Sequence, residues 1–208
     1  MRAHVQDLAR SISSRGLREI QLEKLERFRK KNVNADADCR SLQDVIEDEL
    51  PATGRLSHFQ VRIQMFSDLN MSIEQLERVQ QLPDSAEAAR IFRSIFVDGT
   101  LMEITAAVGA IEKWYIPLAD RLERTYLALG YSPYQVATYS LHKVADVGHS
   151  DVAISFVEKY AQPSEYSKII EAVRLGFESV RLYDVARFVA ATNEVRSLDS
   201  YFGITHPS

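Results

Sequence analysis

The chain has 208 residues, of which 46% are hydrophobic and 26% are charged, and its formal net charge is −4. This composition is typical of a globular protein with a hydrophobic core, and it excludes collagen-like and low-complexity chains. The longest basic stretch, 27–31, is short and is offset by neighbouring glutamates, so we expect no surface for nucleic acid.

Several features of the sequence favour a cytoplasmic location. The start, MRAHVQDLAR, has no apolar signal-peptide core, and the longest apolar run, 104–111, is too short to cross a bilayer. The single cysteine, Cys39, allows no internal disulfide and fits a reducing compartment. It lies in a polar stretch with no nearby histidine, so we expect no catalytic thiol there.

Glycine and proline are few, and the segments between them carry helical periodicity. The first half of the chain favours four helices separated by short polar or proline-containing links. A capping box at Ser72 begins the fourth of these helices, which ends before Pro83. We predict these helices at 5–31, 42–50, 56–70 and 72–82, with a polar link at 32–38.

The second half of the chain is predicted to form three long helices after a shorter one at 85–96. Asp98 is the expected cap of a helix over 100–129, which Gly130 closes. Ser132, Pro133 and Gln135 form a helix-start signal for a segment that ends near 160, and Pro163 begins a last helix that ends near 193. No segment alternates as a strand does. We therefore predict one all-α domain over 1–208, with its core at 17–193 and an irregular tail at 194–208.

One of these helices carries the main chemical signal. His142, Asp146 and His149 are spaced i, i+4 and i+7, so they share one helical face. Imidazole and carboxylate are natural ligands for divalent iron, manganese or zinc. We interpret the triplet as part of a metal site, and a surface cluster or a buried His–Asp pair is the alternative interpretation.

A lone acid on the preceding helix is the next candidate. Glu112 follows six small or apolar residues, which favours an inward-facing carboxylate over a solvated one. The short turn at 130–133 makes the two helices antiparallel neighbours. Because each residue of a helix rises about 1.5 Å, Glu112 then lies at about the same distance from the turn, measured along the helix axes, as Asp146 and His149.

His58 and several acidic residues are the remaining candidate metal ligands. His58 begins the predicted third helix, and Glu47, Asp48 and Glu49 precede it. The first helix offers Glu19, Glu23 and Glu26 as further carboxylates, and spacing does not choose among these acids.

These motifs resemble those of the haem-oxygenase-like di-metal oxidases and oxygenases, a group of iron-containing and CADD-like redox proteins with a thiaminase-like, seven-helix bundle. The resemblance extends over about 17–193. It rests on the His-x-x-x-Asp-x-x-His motif at 142–149, on Glu112 about 30 residues upstream, and on the acid-to-Ser-His segment from Glu49 to His58.

The resemblance implies two iron ions, or manganese, that activate O₂ as a co-substrate, and it implies a homodimer. The implied metal ligands are Glu49, His58, Glu112, His142, Asp146 and His149. Glu47 is an alternative to Glu49, and Glu23 is a further ligand in some members.

Three functions fit these expectations. The first is a di-iron oxidase or oxygenase that acts on a small organic molecule, whose identity the sequence does not indicate. The second is a metal-free enzyme of the same fold, like the thiaminase or quinone-cofactor-forming branch. The third is a non-catalytic helical module that binds a ligand or a protein. The clustered histidines and Asp146 favour the first.

Overall fold

The computed structural model describes residues 16–49, 61, 78 and 80–201, with side chains of the last helix described to Ala190 and at Thr192. Within these ranges there are six α-helices and no strand, so the all-α prediction is confirmed. The helices are α1 Leu17–Lys31, α2 Asp36–Asp48, α3 Pro83–Asp98, α4 Leu101–Ala128, α5 Ala137–Tyr160 and α6 Tyr166–Tyr201. Of the predicted helices at 56–70 and 72–82 the structure describes only residues 61, 78 and 80–82, and His58 lies outside the described residues.

The ends of α4 and α5 show how local sequence determines their bounds. Thr100, and not Asp98 as predicted, caps α4, because its hydroxyl accepts a bond from the Glu103 amide at 3.3 Å. Gly130 follows α4 with φ of 91°, a left-handed conformation that glycine adopts without a Cβ clash. The predicted Ser132–Gln135 capping box forms, with bonds of 2.9 and 3.3 Å, although regular helix begins only at Ala137.

Three other helix bounds differ from the prediction. α2 begins at Asp36 instead of near 42, since a short 3-10 turn at Val33–Ala35 leads directly into it. Acidic residues in its first turn interact favourably with the helix dipole. α3 begins at Pro83, a residue preorganised for the first helical position. α6 continues beyond 193 to Tyr201, where an irregular tail was expected.

α4 lies at the centre of the described part of the molecule. It packs most extensively on α5 and also on α6, while α3 packs on α6, and α1 contacts α2, α3 and α4. Small residues permit the close approach of α4 to α5. A Cβ atom added to Gly109 would lie 2.7 Å from the Cβ of Ala153. The same close packing occurs towards α6, where a Cβ on Gly176 would lie 3.0 Å from Ile111 Cδ1.

The buried side chains form two apolar groups. The first joins α1, α2, α4, α5 and α6, and its largest members are Leu25, Leu42, Ile46, Met102 and Phe156. The second joins α1, α3, α4 and α6, and includes Leu17, Phe96, Ile104 and Val108. Burial of this apolar surface is the main stabilisation of a helical bundle. None of the described helices combines the length and hydropathy needed to span a membrane.

Candidate metal centre

The packing of α4 on α5 determines which polar residues meet. Gly109 of α4 lies against Ala153 of α5, and the two helices run in opposite directions. One turn further along α4 is Glu112, and one turn back along α5 is His149. Both side chains are buried, with exposed fractions of 8% and 6%. The close helix contact therefore holds a carboxylate and an imidazole face to face inside the protein.

Glu49 completes this group from a third helix. It is the C-terminal cap residue of α2, which packs on α5. The ligand atoms of Glu49, Glu112 and His149 all lie within 4.8 Å of one another. Two carboxylates and an imidazole from three separate helices form a donor set that suits divalent iron or manganese.

Two buried oxygen atoms, one in the group and one beside it, suit a cation. Glu112 Oε2 and Asp146 Oδ2 are buried and have no hydrogen-bond partner in the described part of the chain. Burial raises the pKa of Glu112 to about 8; Arg18 opposes this shift, and the carboxylates of Glu49 and Asp146 add to it. A bound cation would satisfy these oxygens and reverse the repulsion between the acids.

The predicted triplet on α5 is divided between two sets of contacts. His149 joins Glu49 and Glu112. His142 instead bonds to Asp146, with 3.0 Å between Nδ1 and Oδ1, and its ring meets Tyr115 edge to face at 5.6 Å. Asp146 is only 1% exposed, and its charge acts on Glu112. The His142–Asp146 pair therefore lies beside the three-residue group without belonging to it.

Asp48 contacts His149 from outside the group. Its Oδ2 atom lies 3.1 Å from His149 Nε2. A carboxylate in this position fixes the orientation and tautomer of an imidazole whose other nitrogen binds a metal. The sequence offered Asp48 only as one of three neighbouring acids, and the structure gives it a role different from that of Glu49.

The structure does not bring Glu23 or Glu47 to the group. Glu23 is 68% exposed and pairs with Arg27 at 3.4 Å. Glu47 is exposed and accepts a bond from Gln43 at 2.7 Å. Glu23 lies about 200° around α1 from buried Gln21, at 100° per residue, which places it on the opposite face of the helix.

Sequence reasoning missed the residues that α1 does contribute. Arg18 Nη2 lies 3.4 Å from Glu112 Oε1 and 4.0 Å from Glu49 Oε1. Its Nη1 atom donates to Gln21 Oε1 at 3.1 Å, and Gln21 is only 1% exposed. The available signal was the i, i+4, i+8 spacing of Leu17, Gln21 and Leu25, which defines a buried face that Arg18 adjoins.

Cys39 lies in the core and not at the group. It is 1% exposed among apolar side chains that include Leu25 and Leu42. Burial raises the pKa of its thiol. A buried, protonated thiol is a poor nucleophile, so the structure offers no support for cysteine chemistry at this position.

Comparisons with known proteins show the family and the fold of the chain. The family model described as iron-containing redox enzyme matches residues 12–180. A crystal structure of a CADD-like protein of unknown function from Nostoc punctiforme, at 2.00 Å, aligns with a TM-score of 0.61 and 19% identity over 92% of this chain and 83% of that one. A second crystal structure of a CADD-like protein of unknown function from Nostoc punctiforme, at 1.35 Å, aligns with a TM-score of 0.59. It is 20% identical in sequence over 93% of this chain and 83% of that one. Among curated proteins no sequence matches.

Proposed function

The chain belongs to the family of iron-containing redox enzymes, and from that premise we propose that it is a di-iron oxidase or oxygenase that uses O₂ to oxidise a small organic molecule. One observation carries the proposal. Glu49, Glu112 and His149 present their ligand atoms within 4.8 Å of one another, and Glu112 and His149 are buried. Family membership supports redox chemistry, and this donor set supports iron as the metal.

The residues fall into two sets that would hold two ions. Glu49, Glu112 and His149 would hold one. His142 and Asp146 would hold the other, together with His58, a ligand that the family resemblance implies. Asp146 acts electrostatically on Glu112, so the two sets are neighbours within the bundle. When bound, ferrous ions supply the electrons and the open coordination positions needed to bind and reduce O₂.

The protein's own contribution is to orient the ligands and keep water out. Val108 and Ala153 lie one turn from Glu112 and His149 on their respective helices, and both are buried. Asp48 holds the imidazole of His149 at Nε2. Fixed ligands in a dry, low-dielectric site favour controlled oxidation of a substrate over loss of electrons to solvent.

Oxygen uptake by the iron-loaded protein tests the proposal. Purified protein would be loaded anaerobically with ferrous ion, desalted and mixed with O₂ in an oxygen electrode. We expect rapid uptake by the wild type and by Glu123→Gln, and at least about a hundredfold slower uptake by Glu112→Gln. Glu123 is a matched control because it lies on the same helix and bonds to Ser140 and Lys143 away from the group. Equal uptake by all three proteins would reject the proposal.

A further inference from the structure

Arg18 places a fixed positive charge at the carboxylates that the proposed site would use. Its Nη2 atom is 3.4 Å from Glu112 Oε1 and 4.0 Å from Glu49 Oε1. The side chain is only 19% exposed, so water screens this charge weakly. A cation bound by Glu49 and Glu112 would therefore meet a positive charge already in contact with both ligands.

The contact is loose compared with another pair on the same helix. Arg29 reaches Asp36 at 2.6 Å, whereas the Arg18 contacts are long and come from a single nitrogen. A close guanidinium–carboxylate pair lies at about 2.7–2.9 Å and is often bidentate. Arg18 thus neutralises the acids by its charge, without the short bonds that would bind their oxygens firmly.

Other contacts hold the guanidinium in place independently of the acids. Nη1 donates to the buried Gln21 at 3.1 Å, and the guanidinium carbon lies 6.0 Å from the centre of the Phe96 ring. The Phe96 side chain is fully buried, which gives a cation at its ring a fixed neighbour. Arg18 can therefore stay near the group when Glu49 and Glu112 bind another cation.

We propose that Arg18 is a built-in competitor of the metal at the group of Glu49, Glu112 and His149. In the metal-free protein its charge offsets the buried acids and lets α1 pack against α4. When a divalent cation binds, Arg18 loses its contacts with the carboxylates of Glu49 and Glu112. The presence of Arg18 therefore weakens the affinity of the group for the metal. This inference rests on the proposed function, since it assumes that the group binds a divalent cation.

Titration with Mn²⁺ tests the role of Arg18 without any need for turnover. Free Mn²⁺ would be measured by electron paramagnetic resonance in the wild type, Arg18→Gln, Arg18→Met and Arg18→Lys. We expect Arg18→Gln and Arg18→Met to tighten Mn²⁺ binding by at least about tenfold. Arg18→Lys should stay within about threefold of the wild type because it keeps the charge. Arg18→Met provides a second neutral variant if Arg18→Gln fails to fold.

Arg29→Gln is the matched control, because it removes one positive charge from the same helix and breaks one ion pair, that with Asp36. We expect it to change Mn²⁺ affinity by less than about twofold. Binding that is equal or weaker in the neutral Arg18 variants, or equally tightened by Arg29→Gln, would overturn the inference and leave the proposed function standing. Absence of Mn²⁺ binding in every protein would overturn both the inference and the proposed function. Mn²⁺ binding only after removal of the Arg18 charge would support the inference.

Discussion

At the scale of single residues, the site depends on which face of each helix is buried. On α1 the buried face contains Leu17, Gln21 and Leu25, so Arg18 points towards the group and Glu23 points to solvent. The family resemblance implied a first-helix carboxylate, Glu23, as a further ligand in some members. The structure supplies a cation from that helix instead, which changes the charge balance of the group.

The contact between Asp48 and His149 predicts the effect of one residue outside the group. Asp48→Asn keeps the shape of the side chain but removes the charge that orients the imidazole. We expect Mn²⁺ affinity to fall by about tenfold to a hundredfold, the usual range for an outer carboxylate. Calorimetric titration would measure this loss. Asp44→Asn, an exposed residue on the same helix, is the control and should bind as the wild type does. Unchanged affinity in Asp48→Asn would show that the contact does not orient the ligand.

At the scale of helices, the site depends on the close contact of α4 with α5. Glu112 faces His149 because Gly109 has no side chain to separate the two helices at Ala153. The position of Glu112 along the helix axis relative to His149 could be predicted from sequence, because two capped helices and a short turn determine the register of α4 against α5. The division of the α5 triplet could not be decided from the sequence, which left a buried His–Asp pair as an alternative. It depends on how the rings of His142 and Tyr115 pack, and periodicity does not specify that packing.

Substitution of Gly109 should separate the two helices. In Gly109→Leu the first added atom would already meet Ala153 Cβ at 2.7 Å, so we expect a loss of about 3 kcal/mol in the free energy of unfolding. Gly148→Leu on α5 is the control, because a Cβ at Gly148 meets nothing within 4 Å. It should gain about 0.5–1 kcal/mol from helix propensity. Urea denaturation of both variants would measure these changes, and a stable Gly109→Leu protein would contradict the proposed close contact.

The contact of Asp38 with the end of α5 predicts how stability depends on pH. Its carboxylate accepts bonds from Lys159 Nζ at 2.6 Å and Tyr160 Oη at 2.5 Å, and these bonds lower the pKa of Asp38 below 3.8. A carboxyl with a lowered folded-state pKa contributes stability above pH 3.8, and that stability is lost as the pH falls through the folded-state value.

Asp38→Asn should therefore show a shallower fall in Tm below about pH 4 than the wild type. Above that range its Tm should be lower than that of the wild type by a constant amount. Thermal melts from pH 6 to pH 2.5, followed by circular dichroism, would compare the two proteins, with Asp44→Asn as the control. Parallel curves for the wild type and Asp38→Asn at acid pH would refute this assignment.

At the scale of the whole molecule, the sequence predicted the all-α class and most bounds of the described helices, because caps, prolines and apolar periodicity are local signals. The exceptions are instructive. The early start of α2 at Asp36 and the length of α6 to Tyr201 show helix continuing through segments that looked polar or irregular. Arg18 is about 94 residues from Glu112 in the chain, and a contact of that range follows only from the packing of α1 on α4.

We propose that the buried acids and histidines hold iron. Iron content after anaerobic ferrous loading and extensive desalting tests it most directly, measured by inductively coupled plasma mass spectrometry in the wild type and in His149→Ala. We expect about two iron ions per wild-type chain and a loss of at least one in His149→Ala. Wild-type protein that retains no iron, or His149→Ala that retains as much as the wild type, would contradict it.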